Sequence, residues 1–171
     1  MQTRIAATCE AIRIDFEFPD AEGRPLSLKD ERFKDKVVVV QIMGSWCPNC
    51  MDETRFLAPW YKQNRERGVE VVGLSFERSA RLEDAAPLMR RMAERYEVSY
   101  PILHAGSSDK ATAARSLPML NHIMSFPTTI FIDRKGRVRQ IHTGFSGPST
   151  GVYYDTYVEE FNRFMDKLLA E

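Results

Sequence analysis

The chain has 171 residues, 43% of them hydrophobic and 28% charged, and its 24 lysines and arginines balance 24 aspartates and glutamates. That length supports one ordinary domain with a core of its own, and the neutral balance carries no bulk signature of nucleic-acid or membrane-surface binding. No apolar run approaches the roughly 18 residues of a membrane span, and three cysteines are too few for a disulfide-built scaffold.

The opening MQTRIAATCEAI has neither the basic start nor the apolar stretch of a secretory signal. It leaves open a cytosolic protein and a chain whose leader has been removed, and residues 1–11 read as a poorly ordered segment. Residues 12–18, IRIDFEF, alternate apolar and polar, the pattern of a strand. PDAEGRPLSL follows as a turn cluster leading into a short second pairing segment. Val37 to Met43 is a continuous β-branched apolar run, which reads as a strand buried on both faces. From Pro48 to Arg67 the spacing of Phe56, Leu57, Trp60 and Tyr61 is helical; Pro59 should kink this helix and Gly68 end it.

Residues 69–76, VEVVGLSF, read as the next buried strand. Residues 80–97 read as a helix carrying Leu82, Ala85, Met89, Met92, Ala93 and Tyr96, with Asp84 as its cap and Pro87 in its first turn. YPILHA, residues 100–105, is a short strand, and Ser107 to Leu117 a small helix stopped by Pro118. PTTIFIDRKGRVRQIHTGF holds two apolar runs around Arg134–Arg137, a hairpin. GFSGPSTG, residues 144–151, reads as the turn before the last helix, with a loop beside a substrate groove as the other reading. Tyr154 to Leu169 is an amphipathic helix. Strands alternating with helices, then a late hairpin, give an α/β layer fold with a mixed sheet in a single domain, residues 1–171.

The chemistry concentrates in GSWCPNCMDE, residues 44–53. With Pro48 at the first position of a helix, Cys47 stands at its mouth and Cys50 one turn along. Helical geometry sets their Cα atoms roughly 5 Å apart, inside the range of about 4.4–6.8 Å that a disulfide spans. The unpaired N–H groups and dipole at the helix start favour the Cys47 thiolate, the attacking species in disulfide exchange. Cys50 lies deeper and should hold its proton longer. Cys47 is therefore the candidate nucleophile and Cys50 the resolving thiol. Glu53, one turn beyond Cys50, can lie beneath the pair and exchange protons if partly buried; a solvated acid is the bland alternative, and Asp52 reads as one. Trp46 offers either a flat rim for a peptide or a plain packing surface.

Other chemistries fit less well. A structural zinc site would need further Cys or His ligands, and Cys9, His104, His122 and His142 are scattered without ligand spacing. A c-type haem needs His where Met51 stands. A purely structural disulfide would close too short a loop to contribute much. A peroxidase wants a hydroxyl residue in the turn before its cysteine, where Gly44 and Ser45 lie. Copper delivery remains an alternative because soft thiolates suit Cu(I). No cofactor or metal is implied. Cys9 reads as a packed small residue, with a third reactive thiol as the alternative.

Several features taken together, in order over residues 14–169, resemble the thioredoxin superfamily and, within it, the TlpA/ResA-type thiol-disulfide oxidoreductases. They are the two-strand N-terminal extension, Trp46-Cys47-Pro48-Asn49-Cys50 after a buried strand, Glu53, an inserted strand at Tyr100-Pro101-Ile102, and Phe126-Pro127-Thr128-Thr129. The resemblance implies a thioredoxin fold: a central mixed β-sheet flanked by helices, with an N-terminal β extension and a central strand/helix insertion. It implies a cis Pro127 standing against the cysteines, with Phe126 offering backbone groups to an extended substrate, a general mode of peptide recognition. Trp46, Pro48, Phe126 and Pro127 are then the substrate-facing set. Glu53 matches the family's C-P-x-C-x-x-E glutamate, whereas Gln41 stands where classical thioredoxins carry a buried Asp. Phe126 is bulkier than the small or aliphatic residue expected there.

The resemblance further implies protein disulfides as substrates, reduction as the working direction and a membrane thiol carrier as electron donor. The implied setting is outside the cytoplasmic membrane, often tethered, with the cytoplasm left open by the missing signal. The oligomeric state is not given; a monomer is favoured.

Overall fold

The computed structural model describes residues 2–3, 13–118 and 125–171. Cys9 and His122, and all of the 1–11 segment except Gln2–Thr3, lie outside these residues. The strands are β1 (Gln2–Thr3), β2 (Glu17–Pro19), β3 (Pro25–Ser27), β4 (Val37–Met43), β5 (Val69–Glu77), β6 (Ile102–Ser107), β7 (Thr128–Ile132) and β8 (Val138–Thr143). The helices are α1 (Pro48–Asn64), α2 (Leu82–Arg95), α3 (Lys110–Ser116) and α4 (Val152–Ala170).

Every residue of β4 and β5 is buried, as a continuous apolar run demands when both faces of a sheet are covered. These two strands lie in parallel at the centre of a sheet ordered β1-β8-β7-β4-β5-β6. β6 extends the parallel side, while β7 pairs antiparallel with β4 and β8 with β7, so the sheet is mixed. Alternate β4 side chains divide the core. Val37, Val39 and Met43 pack with α1, α2 and α4, and Val38, Val40 and Ile42 with α3, Ile14, Phe16 and Phe33. Burying each such aliphatic side chain stabilises the fold by roughly 1.5–3 kcal/mol.

α1 runs unbroken through Pro59, which is solvent-exposed, as is Arg55, whose carbonyl the proline deprives of a partner. A short 3-10 turn and Gly68, at φ 93°, end it. The β7–β8 turn forms where expected. Asp133 accepts from the Lys135 and Arg137 amides, and Gly136 supplies the positive φ.

Four expectations need correction. The 12–18 alternation is real, with Ile14 and Phe16 buried, but the ladder covers only Glu17–Pro19 against Pro25–Ser27. Residues 13–16 lie outside any strand, joined to the second segment only where the Leu28 amide donates to the Phe16 carbonyl at 3.3 Å. α2 starts at Leu82, so Asp84 lies inside its first turn, accepting from Ser79 Oγ, and the capping position is Arg81 with no side-chain bond. Pro87 consequently falls in the second turn, on the exposed side, and the carbonyl it leaves without a helical donor belongs to Glu83, which is also exposed. β6 begins at Ile102 because Pro101 has no N–H to pair; its carbonyl accepts from Gly73 instead. α3 begins only at Lys110, capped by Asp109 accepting from the Thr112 amide.

Candidate active site

The chain leaves β4 at the sheet's central crossover and turns into α1 through Gly44–Cys47, so the dithiol stands above the strand ends. Cys47 occupies the capping position and Pro48 the first helical one. The Cys47 sulfur accepts from the Cys50 amide at 3.2 Å. The Cys50 thiol beside it lowers the Cys47 ionisation most, and backbone N–H groups at the helix start add to this, bringing it from 9.0 to about 7 against the opposing effect of burial. Cys50 is fully buried, and its ionisation is pushed up by the neighbouring Cys47 sulfur and by burial. Both thiols are free. An outer acidic thiol and an inner reluctant one follow from where the helix begins.

Glu53 lies a turn below, wholly buried. One carboxylate oxygen accepts from Thr129 Oγ1 at 3.0 Å; the other has no partner. Desolvation dominates and lifts its ionisation from 4.5 to about 8, only partly offset by Thr129 and Gln41. Gln41 lies directly opposite Thr129 in the β4–β7 register. Its amide donates to Thr54 Oγ1 at 3.1 Å and to the Cys50 carbonyl at 3.4 Å. A neutral amide thus stays beneath the dithiol as a structural donor, and the titrating group there is Glu53.

The sequence reading missed a second buried acid, Glu77, at the end of β5. It accepts from the Ser45 amide at 2.9 Å, from Ser45 Oγ at 2.7 Å and from Ser75 Oγ. It therefore fixes the turn that presents Trp46 and Cys47. The available signal was a glutamate ending an otherwise buried strand. Gly44 allows the same turn: a Cβ there would lie 2.2 Å from Trp46 Nε1. Trp46 donates that N–H to the Phe76 carbonyl at 2.8 Å and sets its ring edge against Phe126, 5.3 Å between centroids.

The Phe126–Pro127 bond is cis. The Cys47 thiol points at the Phe126 carbonyl, 3.8 Å away, and Phe126 also packs on Phe76. Trp46, Cys47, Phe126 and Pro127 therefore meet although 79 residues separate Cys47 from Phe126. Pro48 lies beside them, exposed. Residues 144–151 are both a turn and a neighbour of the site. A 3-10 turn at Pro148–Thr150 leads into α4, Gly144 N–H donates to the Pro127 carbonyl at 2.7 Å, and Gly147 packs on Asp52. Asp52 is half-buried there and pairs with Arg55 at 3.6 Å, so it is less exposed than expected. His104 is buried with Nε2 against the Ser79 carbonyl, and His142 lies beside Tyr157; neither reaches the cysteines' contacts. Among the described residues no three His, Cys, Asp or Glu side chains cluster as metal ligands.

A mixed sheet with a helix-mouth dithiol facing a cis proline defines a thioredoxin-fold protein with a C-x-x-C centre. Solved structures agree on the fold. A thioredoxin-family thiol:disulfide interchange protein from Chlorobium tepidum TLS superposes with a TM-score of 0.69 at 21% identity, covering 95% of this chain and 99% of that one. A model of the AhpC/TSA family matches residues 10–141, and the chain belongs to that family. Its sequence is similar to thiol-disulfide oxidoreductase ResA of Geobacillus thermodenitrificans, 30% identical over 76% of this chain and 66% of the relative. ResA of Halalkalibacterium halodurans is 26% identical over 77% and 66%. The chain spans just under two thirds of the length of the first of these curated relatives.

Proposed function

We propose that this protein is a thiol-disulfide oxidoreductase whose substrates are protein disulfides. The observation that carries the reading is the Cys47 sulfur held at a helix mouth by the Cys50 amide, one turn above a wholly buried Glu53. The Cys47 thiolate attacks one sulfur of the target disulfide; a Cys47–substrate bond forms and the target's other sulfur leaves as thiolate, taking a proton from solvent. Glu53 carboxylate then takes the Cys50 proton. The Cys50 thiolate attacks Cys47, forming the Cys47–Cys50 bond and releasing the second substrate thiolate. The target gains two electrons and the dithiol loses two.

The substrate chain lies along Phe126–Pro127 in extended form, flanked by Trp46 and Pro48, with Phe126 and Trp46 making an apolar wall. The family resemblance supports reduction as the working direction, a membrane thiol carrier restoring the dithiol, and a setting outside the cytoplasmic membrane in redox homeostasis. Among the described residues no helix is long and apolar enough to cross a membrane. Residues 1–171 act as one thioredoxin-like domain, as a monomer. A peroxidase would use a hydroxyl from the preceding turn, and here the Ser45 hydroxyl is committed to Glu77.

The test is Cys50→Ala. It should accumulate a covalent Cys47 adduct with a disulfide-bearing protein, resolved on a non-reducing gel, and should raise the Cys47 ionisation, since its strongest stabilising contact is gone. No adduct, together with stoichiometric retention of Cu(I), would overturn the reading in favour of metal delivery. Fast stoichiometric oxidation of Cys47 by peroxide would overturn it in favour of a peroxidase.

A further inference from the structure

Beside the dithiol, the start of α1 and the length of α2 enclose a depression of about 190 Å³. Ser45 and Met51 line it on the side of the cysteines, and Leu88, Arg91, Met92 and Arg95 on the side of α2. Part of the lining is apolar: Met92 is buried and Met51 half-buried, while Leu88, 40% exposed, is one of three large apolar side chains left open among the described residues. The rest is cationic. The ion pairs made by arginines of α2 and its cap are Arg81 with Glu83 and Asp84, and Arg90 with Glu22; among the described residues Arg91 and Arg95 have none. Arg95 lies instead over the Tyr96 ring, 5.5 Å from its centroid, and Arg55 of α1 lies over the same ring at 5.4 Å. A neighbouring depression shares Arg95 and Tyr96 and adds Arg55 and Lys62, with Glu97 as its one acid. In a chain of zero net charge this is a local excess of cations.

The depression adjoins Cys47. Ser45 stands two residues before it, and Met51 four residues after it, one turn along the same face of α1. A specific protein contact covers about 800 Å² on each partner, a disc of roughly 16 Å radius. Such a disc centred on the Cys47 sulfur includes the depression.

Resting on the thiol-disulfide oxidoreductase reading above, we propose that this depression docks an acidic segment of the disulfide-bearing substrate: one large apolar side chain enters beside Leu88 and Met51, and carboxylates next to it pair with Arg91 and Arg95. The near side is one helical turn from Cys47, about 5–6 Å, and an extended chain advances about 3.3–3.6 Å per residue. The segment therefore begins about two residues from the attacked cysteine. The apolar contact contributes affinity. The cations set the choice between substrates, because a lysine in the same place meets like charge and no carboxylate.

The experiment measures reduction of two cyclic disulfide peptides at low ionic strength. They are identical except that the segment two residues outside each cysteine is leucine with two aspartates in one and leucine with two lysines in the other. Wild type should reduce the aspartate peptide with a kcat/KM about tenfold higher, the difference lying in KM. In about 1 M salt, where charges are screened beyond about 3 Å, the preference should shrink to less than about twofold. Arg91→Glu should narrow the preference, and Arg91→Glu with Arg95→Glu should reverse it, an outcome that loss of folding cannot produce. Arg163→Glu, the same reversal at an exposed residue of α4, should leave it in place. Leu88→Ser should raise KM for the leucine-bearing aspartate peptide and not for one with serine in place of leucine. Equal rates on the two peptides, a preference that survives the double reversal, or one moved as far by Arg163→Glu as by Arg91→Glu, overturns the proposal. A dimer in light scattering that Arg91→Glu dissociates assigns the depression to a second copy of the chain and overturns it too. A wild type that reduces neither peptide nor hydroxyethyl disulfide overturns the underlying function instead.

Discussion

Two buried glutamates flank the dithiol, and they differ in how they are held. Glu77, beside the turn, is 1% exposed and meets three donors from Ser45 and Ser75. Glu53, beneath the cysteines, is equally buried and meets one, leaving an oxygen unpaired. A carboxylate surrounded by donors is a fixed anchor. One with a single donor and full desolvation is held near the balance between its protonated and charged forms. The same side chain thus serves rigidity at one end of the motif and proton exchange at the other, and the local count of donors makes the difference.

The largest expected effect that separates them is on stability. Glu53 ionises near its ordinary 4.5 when unfolded and near 8 when folded, so between these values the folded state binds more protons and stability falls as pH rises. The unfolding free energy of the reduced protein, read from denaturant titrations, should drop between pH 5 and 8 by about 2–5 kcal/mol on account of this group alone. Cys47, lowered from 9.0 to about 7, should return part of that above pH 7. Glu53→Gln should flatten the fall; a midpoint that does not decline in wild type would contradict so costly a burial.

Next is turnover. Glu53→Gln should slow resolution of the mixed disulfide by about a hundredfold and abolish the limb near pH 8, within the usual range for a positioned acid–base group. An unchanged pH–rate profile would make Glu53 merely structural. Glu77→Gln should do the converse, costing about 1–3 kcal/mol of stability by leaving a donor of the turn unmatched. It should keep the limb in place; a displaced limb would break the contrast. The smallest effect is expected at Asp52→Asn, where a partly exposed ion pair with Arg55 is lost. Stability should change by less than about 1 kcal/mol, and the exchange rate by less than about twofold.

Much of this was legible in the chain. The apolar runs at Val37–Met43 and Val69–Phe76 gave the central strands, and Pro48 beside Cys47 gave the helix start and the order of the two thiols. Other features escaped because local pattern under-determines them. Residues 13–16 alternate like a strand, yet beyond one bond from the Leu28 amide to the Phe16 carbonyl they join no ladder, since alternation fixes which side is buried and not which segment pairs with it. Asp84 looks like a cap, yet α2 begins two residues earlier, where Ala85, Ala86 and Met89 can face the sheet. Glu77 reads as an ordinary polar end to a strand until Ser45 is seen across from it.

The sequence by itself determined what can be encoded within a turn or a strand: the periodicities, the breakers and the one-turn spacing of Cys47, Cys50 and Glu53. The tertiary structure decided the environment of those groups. Ser45 and Glu77 are 32 residues apart, Glu53 and Thr129 are 76 apart, and Cys47 and Phe126 are 79 apart. Desolvation, donor count and the approach of a facing carbonyl exist only once these segments pack together. They set how readily each thiol and carboxyl gives up its proton, because the cost of charge depends on what surrounds it in space and not on its neighbours along the chain.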